Sequence, residues 1–305
     1  MPLSVGVIGT GWVGSSVAIS VLHAGFASEL LLADLRHEVA EGEAMDLAHG
    51  ASFYTTATVR AVDVDEMLDT DAVVIAAGRG GKPGESRLDL LRDNADMLRT
   101  LAGRLKGYRG LVIVVTNPVD VLTYVMAESS GLPCERVIGT GTMLDTARLR
   151  QVLGHALRVD PHSVHAQVVG EHGDSEVVLW SSAQVGGTAL REWPGWSADR
   201  EAPIAMEVRT AAYEIIRRKG ATNHAIGLTT ASLLRAALRG ERSVLTVSRV
   251  QTGALGLHDV ALSLPTIVDA NGAVDVVSPR MNAAEHEALE HSADVLRNAI
   301  ASLRG

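Results

Sequence analysis

The stretch LSVGVIGTGWVG at residues 3–14 decides the fold. Its apolar, β-branched beginning predicts a buried strand over 3–8, and the pattern of residues 15–24 predicts a helix. Between them stands a Gly-x-Gly-x-x-Gly turn, which is a weak signal when it occurs alone. A strand before the turn and a helix after it are the context expected of a dinucleotide-binding βαβ unit.

The three glycines of the turn have separate expected roles. Gly9 permits the tight turn, Gly11 lets a pyrophosphate approach the backbone, and Gly14 lets the helix pack closely on the strand. The first N–H groups of the helix are then free to bind phosphate oxygens.

Asp34 ends a second predicted strand at residues 29–34 and lies 20 residues after Gly14. A carboxylate in that position accepts both ribose hydroxyls of an adenosine and repels a 2′-phosphate. NAD is therefore favoured over NADP, although Arg36 would partly offset the repulsion.

The apolar strands predicted at 72–77 and 111–115 alternate with helical segments, which indicates a parallel sheet with ligands at its carboxyl edge. Later segments predict helices at 204–219 and 283–303 and antiparallel strands at 244–250 and 260–267. We therefore expect an α/β protein: a Rossmann-type doubly wound parallel sheet at 1–141, followed by a mixed α+β catalytic domain at 142–305.

Composition excludes several classes of protein. The chain has 305 residues, 47% of them hydrophobic, which suits one large or two intimately packed domains. A net charge of −9 without a basic block argues against nucleic acid as the main partner. The single cysteine, Cys134, rules out an intrachain disulfide. With no secretory leader and no apolar run of membrane-spanning length, we expect a cytoplasmic protein.

His172 is the candidate proton donor, within VVGEHGDSE at 168–176. Imidazole exchanges a proton near neutral pH. Gly170 and Gly173 are expected to remove bulk beside it, so that a ligand or cofactor approaches the backbone. Taken alone, a single histidine is more often a turn residue that caps a neighbour.

Asp145 and Arg148 are neighbours on one face of a helix predicted at 143–153. The local alternative is a surface ion pair of little energetic value. In the functional alternative, the guanidinium of Arg148 grips a substrate carboxylate through two N–H bonds, while Asp145 accepts a hydrogen bond from His172.

The loop RGGKPGESR at 79–87 has three glycines and a proline in nine residues, which is typical of a mobile surface loop. Such a loop can close over a substrate and exclude water. Arg87 at its end could then polarise a carbonyl; the alternative is a solvated arginine at a helix start.

Eight ordered segments together resemble the L-lactate/malate dehydrogenase superfamily, with the bacterial L-lactate dehydrogenases as the nearest group. The resemblance covers nearly the whole chain and is far more specific than any one motif. The segments are GTGWVG (9–14), LLADL (31–35), AMDLAHG (44–50), KPGESRLDLL (82–91), VTNPVD (115–120), IGTGTMLDTARLR (138–150), GEHGDSE (170–176) and RRKGATNHAIG (217–227).

The resemblance implies hydride transfer between NADH and C2 of a small 2-oxo acid, with no metal. It assigns the proton transfer to His172, its orientation to Asp145, polarisation of the carbonyl to Arg87 and the substrate carboxylate to Arg148. The remaining positions that it assigns are Asn117, Thr222 and Gly81 toward the substrate, and Gly9, Gly11, Val13, Gly14, Asp34, Gly78, Asn117 and Ile226 toward NAD.

Gly81 departs from the family pattern at the position that separates substrates. Malate enzymes carry arginine there and lactate enzymes commonly glutamine. Without that arginine a second carboxylate would be buried unpaired, which disfavours malate unless Arg79 is redirected. Pyruvate/lactate is the leading pair, followed by a bulkier acid such as 2-hydroxyisocaproate, since glycine leaves space. A non-catalytic NAD-sensing module on the same fold is the alternative from another class.

Arg150 and His165 match two positions by which bacterial lactate dehydrogenases bind the activator fructose 1,6-bisphosphate between subunits. Cations paired across a two-fold axis can hold two phosphates; ordinary surface charge is the alternative. The resemblance also implies a homodimer or homotetramer.

Overall fold

The computed structural model describes residues 2–80 and 86–304, with the side chain of Arg87 outside the description. The helices of the described residues are α1 Trp12–Ala24, α2 His37–His49, α3 Arg87–Arg104, α4 Val119–Ser130, α5 Met143–Leu157, α6 Glu201–Lys219, α7 His224–Leu238 and α8 Ala283–Ala301. The strands are β1 Ser4–Ile8, β2 Glu29–Ala33, β3 Thr58–Ala61, β4 Ala72–Ile75, β5 Leu111–Val114, β6 Val137–Gly139, β7 Val164–His165, β8 Val168–Val169, β9 Val177–Val178, β10 Gln184–Val185, β11 Thr188–Ala189, β12 Ser243–Thr252, β13 His258–Asp269 and β14 Gly272–Val276.

Six of the nine strands in the main sheet are parallel, in the order β6-β5-β4-β1-β2-β3, with β3 at one edge. The chain reverses its direction of travel across the sheet between β1 and β4, where Ile8 pairs with both Ala33 and Ile75. Ligands of such sheets bind in the crevice beyond the carboxyl ends of the strands at this point. The predicted Rossmann-type α/β fold is confirmed.

The second half of the chain extends this same sheet. β12 joins β6 through the antiparallel pair Ser248 and Gly139, and β13 and β14 follow at the edge. The antiparallel strands predicted at 244–250 and 260–267 are therefore present and longer than expected. Two short strands, β7 and β8, lie outside the main sheet, each in a small sheet of its own.

Apolar side chains cover both faces of the parallel strands. Leu98 of α3 and Leu122 of α4 are fully buried in the cluster on one face, and Val17 of α1 and Leu234 of α7 in the cluster on the other. Because α7 comes from the second half of the chain, the two halves share a core beside the first glycine turn.

Two classes of feature are absent from the described ranges 2–80 and 86–304. None of the helices in these ranges has both the length and the apolar character needed to cross a bilayer. The same ranges contain no group of three or more His, Cys, Asp or Glu side chains placed to hold a metal ion.

Candidate active site

The glycine turn at residues 9–14 is built by close backbone contacts. Gly9 has φ +92°, and a Cβ there would lie 2.4 Å from the backbone N of Ala77. A Cβ on Gly14 would lie 1.8 Å from the carbonyl oxygen of Gly9. Both positions therefore exclude any side chain, as expected for the tight turn and for close helix packing.

Gly11 differs from its neighbours because it faces open space. A Cβ on Gly11 would meet no atom within 4 Å. α1 begins at the next residue, Trp12, and no side chain caps its first N–H groups. The turn thus offers unoccupied donors beside an open surface, an arrangement that fits a pyrophosphate group.

Asp34 follows the end of β2 and contacts the glycine turn. Its Oδ2 accepts hydrogen bonds from Thr10 N at 2.9 Å and Thr10 Oγ1 at 3.3 Å, and its Oδ1 accepts from Arg36 N at 3.0 Å. Burial opposes ionisation, but these hydrogen bonds outweigh it and lower the pKa of Asp34. A carboxylate therefore stands at the edge of the crevice.

Helix α7 brings residues of the second half to the start of α1. A Cβ on Gly227 would lie 2.4 Å from the carbonyl oxygen of Ser16, so the two helices cross at backbone contact. Val13 and Ile226 are half-buried against the same apolar cluster. Thr222 is half-buried just before α7.

Asn117 and Gly78 lie beyond the carboxyl ends of neighbouring strands β5 and β4. Asn117 is exposed and precedes Pro118 through a cis peptide bond. Its Oδ1 accepts from Val119 N at 3.3 Å, a contact typical of an Asx-turn. A Cβ on Gly78 would lie 2.5 Å from Thr116 Cγ2, so glycine is required there.

Asn94 of α3 forms hydrogen bonds with the segments that follow β4 and β5. This role was not predicted from the sequence. It is 2% exposed. Its Oδ1 accepts from Arg79 N at 3.1 Å, and its Nδ2 donates to the carbonyl oxygen of Asn117 at 3.4 Å. An amide among charged residues of a helix gives no signal of such a contact.

His172, Asp145 and Arg148 meet at one carboxylate. His172 Nδ1 lies 2.5 Å from Asp145 Oδ2, and Arg148 Nη1 donates to Asp145 Oδ1 at 2.8 Å. The side chain of Asp145 is 3% exposed and that of Arg148 13% exposed, so their ion pair is not a surface pair. The His172 side chain remains 24% exposed. A buried acid therefore orients an imidazole that solvent can reach.

The charges of this group favour a protonated imidazole. Burial opposes protonation of His172, but the charge and hydrogen bond of Asp145, with a further contribution from Asp120, raise its pKa to about 9. Burial likewise opposes ionisation of Asp145, but the charges and hydrogen bonds of His172 and Arg148 together outweigh it, so the pKa of Asp145 is lowered. At neutral pH the pair is imidazolium and carboxylate.

Three consecutive backbone N–H groups of the His172 loop are held by three different elements. Gly170 donates to the carbonyl oxygen of Ser263 at 2.8 Å and Glu171 donates to Ser292 Oγ at 2.8 Å. His172 donates to Asp120 Oδ2 at 2.7 Å. β13, α8 and α4 therefore all position the imidazole.

The expected role of Gly170 and Gly173 is wrong. Gly170 has φ +85°, and a Cβ there would lie 2.7 Å from Ser292 Oγ. A Cβ on Gly173 would lie 2.8 Å from the carboxyl group of Glu171. The space beside these glycines is filled by side chains of the protein, because the loop is packed tightly to hold His172.

Comparison with known proteins agrees with this arrangement over both halves. Residues 3–139 match the family model for the lactate/malate dehydrogenase NAD-binding domain, and residues 142–304 match that for the α/β C-terminal domain of the same proteins. The chain belongs to the lactate/malate dehydrogenase family. It is an NAD-dependent oxidoreductase, and the predicted cofactor is thereby confirmed.

Named relatives of this family member are similar over nearly their full length. L-lactate dehydrogenase 2 of Enterococcus faecalis is 42% identical over 307 residues, covering 98% of this chain and 97% of that protein. L-lactate dehydrogenase of Salinibacter ruber is 44% identical over 307 residues, with the same coverage of 98% and 97%. A crystal structure of the minor L-lactate dehydrogenase of Enterococcus mundtii has a TM-score of 0.96 at 38% identity, covering 99% and 98%.

Two residues expected at the dehydrogenase site lie where the structure gives no account of them. Gly81 is outside the described residues, and so is the side chain of Arg87, whose backbone begins α3. Arg79, the alternative partner for a second carboxylate, pairs with Asp93 of α3 at 2.6 Å.

The side chain of Arg150 contacts the backbone of the residue that follows His165. Arg150 Nε donates to the carbonyl oxygen of Ala166 at 3.2 Å, next to the exposed His165. Arg150 also lines a cavity of about 520 Å³.

Glu176 is a buried acid near the dehydrogenase site that sequence reasoning missed. Burial, reinforced by the charge of Asp145, raises its pKa to about 8. Its Oε1 has no hydrogen-bond partner among the described residues, while Arg209 Nη2 donates to its backbone oxygen at 3.2 Å. An acid that follows a glycine-rich loop reads as a surface residue, so nothing in the sequence signals this burial.

Proposed function

We propose that this protein is an NAD-dependent L-lactate dehydrogenase that reduces pyruvate to L-lactate. One observation carries the proposal: His172 and Arg148 contact the same buried carboxylate of Asp145, at 2.5 Å and 2.8 Å. A proton donor and a carboxylate-binding cation therefore stand side by side. The names and high coverage of the relatives support lactate as the product.

In the proposed reaction, His172 binds the keto oxygen of pyruvate and gives it the proton. Asp145 keeps the imidazole oriented and protonated until then. Arg148 holds the substrate carboxylate, using guanidinium N–H groups other than the one bound to Asp145. When bound, NADH supplies the hydride to C2. In the reverse direction His172 takes the proton back.

The proposed NAD site uses the open turn and the crevice beside it. The N–H groups at Gly11 and the start of α1 hold the pyrophosphate, and Asp34 faces the adenosine ribose. Gly78 and Asn117, beyond the ends of β4 and β5, and Ile226 on α7 surround the nicotinamide end. The residues that we assign to NAD are Gly9, Gly11, Val13, Gly14, Asp34, Gly78, Asn117 and Ile226.

The remaining site assignments concern the substrate. Asn117 and Thr222 line its pocket, Arg87 polarises the carbonyl, and glycine at position 81 leaves room beyond C3. We propose the order pyruvate, then a bulkier 2-oxo acid such as 2-oxoisocaproate, then oxaloacetate. The ion pair of Arg79 with Asp93 supports the last place of oxaloacetate, because this guanidinium already has a carboxylate partner.

We assign residues 1–141 to the NAD-binding domain and 142–305 to the catalytic domain. The two family-model matches, at 3–139 and 142–304, support this division. The cofactor turn lies in the first part, and the Asp145–His172 pair lies in the second. We also propose a cytoplasmic location, where NADH and pyruvate are available.

We propose a homodimer or homotetramer in solution. Large apolar side chains that a monomer would leave in water support it. They lie on or beside α1, α2 and α7 and include Trp12, Ile19, Met45, Phe53 and Leu228.

Fructose 1,6-bisphosphate is the proposed activator, bound by Arg150 and His165 of two subunits. The test adds fructose 1,6-bisphosphate to the protein and, as the control, to the Arg150→Gln variant. The KM for pyruvate should fall in the protein and stay unchanged in the variant. Unchanged kinetics together with unchanged assembly, measured by light scattering, would remove this part of the proposal.

A panel of 2-oxo acids tests the function. NADH oxidation is followed with pyruvate, 2-oxoisocaproate and oxaloacetate at matched concentrations. The highest kcat/KM should be that for pyruvate. NADH binding without turnover of any acid would instead favour a non-catalytic NAD sensor, and preference for oxaloacetate would overturn the lactate assignment.

A further inference from the structure

Asp120 stands out among the three groups that hold the His172 loop. The acceptors for Gly170 and Glu171 are neutral, a backbone carbonyl and a hydroxyl. The acceptor for His172 N, at 2.7 Å, is the carboxylate of Asp120. A serine or asparagine would serve as an acceptor without the cost of burying a charge. The hydrogen bond to His172 N alone therefore does not explain why residue 120 is an acid.

The position of Asp120 joins the two halves of the chain. It is 1% exposed and lies in the first turn of α4, three residues after Asn117. The N-terminus of a helix favours a negative charge. The NAD-binding half thereby contacts the backbone of the residue that exchanges the proton.

The environment of Asp120 leaves it charged at neutral pH. Burial raises its pKa to about 6, although the Ser248 hydroxyl, the His172 N–H and the His172 charge oppose this effect; nearby Glu171 reinforces it. Its Oδ1 has no hydrogen bond of regular geometry within the described residues. Oδ2 thus holds the loop, and His172 is the cation that stabilises the Asp120 carboxylate.

The charged groups around His172 come from two helices and its own loop. Asp145 and Arg148 belong to α5, Asp120 to α4, and Glu171 and Glu176 to the loop. Asp145 and Asp120 favour the imidazolium, and Arg148 opposes it. Asp120 is the member of this set that reaches the site from the NAD-binding half.

We propose that Asp120 is a positioning residue that holds the His172 backbone in place and provides the imidazole with a second negative charge. It acts through His172 and does not touch the substrate. The proposal deepens the proposed function and rests on it.

Two substitutions separate the two effects. Asp120→Asn keeps an acceptor oxygen and removes the charge, and Asp120→Ala removes both. Ser292→Ala is the matched control, because it removes the acceptor for the adjacent Glu171 without changing charge. For each variant we would measure kcat and KM for pyruvate from pH 5.5 to 10, the Kd for NADH by fluorescence, the thermal midpoint, and the His172 titration by NMR of labelled histidine, assigned with His172→Gln.

For Asp120→Ala, we expect kcat to fall roughly ten- to hundredfold while the Kd for NADH stays within about threefold. Asp120→Asn should retain more of the activity. In both variants the alkaline limb of the pH profile and the NMR titration of His172 should move down by roughly one unit. Ser292→Ala should leave that titration in place.

The proposal fails if both Asp120 variants lower the thermal midpoint but leave the His172 titration and the pH profile of kcat unchanged, as a merely structural role would. It fails also if Ser292→Ala moves the titration as far as Asp120→Asn does. If the parent protein turns over no 2-oxo acid, the proposed function fails by itself, and the NMR titration still decides whether Asp120 acts on His172. If Asp120→Ala does not fold, Asp120→Asn decides by the same criteria.

Discussion

The turn at residues 9–14 and the loop at 170–173 both depend on glycine, but for opposite reasons. In the first, Gly11 opens onto space with no atom within 4 Å of its missing Cβ. In the second, Gly170 and Gly173 are in contact with the side chains of Ser292 and Glu171. The first region admits a ligand to the backbone, whereas the second holds one imidazole in place.

The two regions also differ in their electrostatics. The turn binds with neutral N–H groups and a helix N-terminus, and its acid, Asp34, has a lowered pKa. The loop and the residues beside it carry groups with raised pKa values, about 9 for His172 and about 8 for Glu176, so both titrate above neutral pH. Cofactor binding should therefore depend little on pH between 6 and 9, and catalysis and stability should depend on it more.

The largest expected effect comes from Asp145→Asn. The amide cannot hold the imidazolium, and it leaves Arg148 partly buried without its partner, so kcat/KM for pyruvate should fall roughly a thousandfold or more. The pKa of His172 should fall from about 9 toward or below its ordinary range. Steady-state kinetics across pH provide the measurement, and NADH affinity should be nearly unchanged.

Asp174→Asn is the matched control for that variant, because Asp174 is an exposed acid two residues after His172. Equal losses in the two variants would mean that the Asp145–His172 contact does not set the rate.

Next in size is the effect of Gly11→Val on the cofactor. The backbone of Gly11 has φ −71°, which valine adopts, and the space is open, so the protein should fold normally. The side chain would occupy the place of the pyrophosphate and weaken NADH binding roughly ten- to hundredfold. Fluorescence titration measures this. Gly42→Val, at another open glycine in α2, is the control, and a Kd equal to that control would remove the pyrophosphate from this turn.

A smaller effect, on stability, is expected for Gly170→Ala. The positive φ and the contact with Ser292 should destabilise the protein by about 1–3 kcal/mol. Adding Ser292→Gly should recover part of this loss by making space, although it leaves the backbone strain. Thermal or denaturant unfolding of the two single variants and the double variant tests the coupling. Additive effects would show that residues 170 and 292 are not packed together.

The smallest expected effect is the pH response of Glu176→Gln. Folding raises the pKa of Glu176 to about 8 from an ordinary 4.5, so its stabilising contribution is complete below about 4.5 and is lost as pH rises through about 8. Glutamine stays neutral throughout. The melting temperature of the variant, relative to the parent, should therefore increase by a few degrees between pH 6 and 9.

Glu207→Gln, at an exposed acid of α6, is the control for this pH series. A melting difference for Glu176→Gln that stays constant across pH would contradict a buried, protonated Glu176.

Much of the fold could be read from local sequence. The strand before Gly9 and the helix after Gly14 were predicted within a few residues of β1 and α1. Each segment carries the hydrophobic pattern that is typical of its own type of secondary structure. The joining of β12 to β6 was not predictable. A single pair, Ser248 with Gly139, makes that connection, and neither residue carries a signal for its partner.

The sequence by itself determined that this chain has a dinucleotide turn, and that His172, Asp145 and Arg148 are candidates for one site. Local spacing and the ordered family segments contain that information. Only the tertiary structure decided which acids surround His172, since Asp145 and Asp120 are 27 and 52 residues away along the chain. The energy of a buried charge depends on what lies around it in space, and that is set by how the helices meet across the sheet.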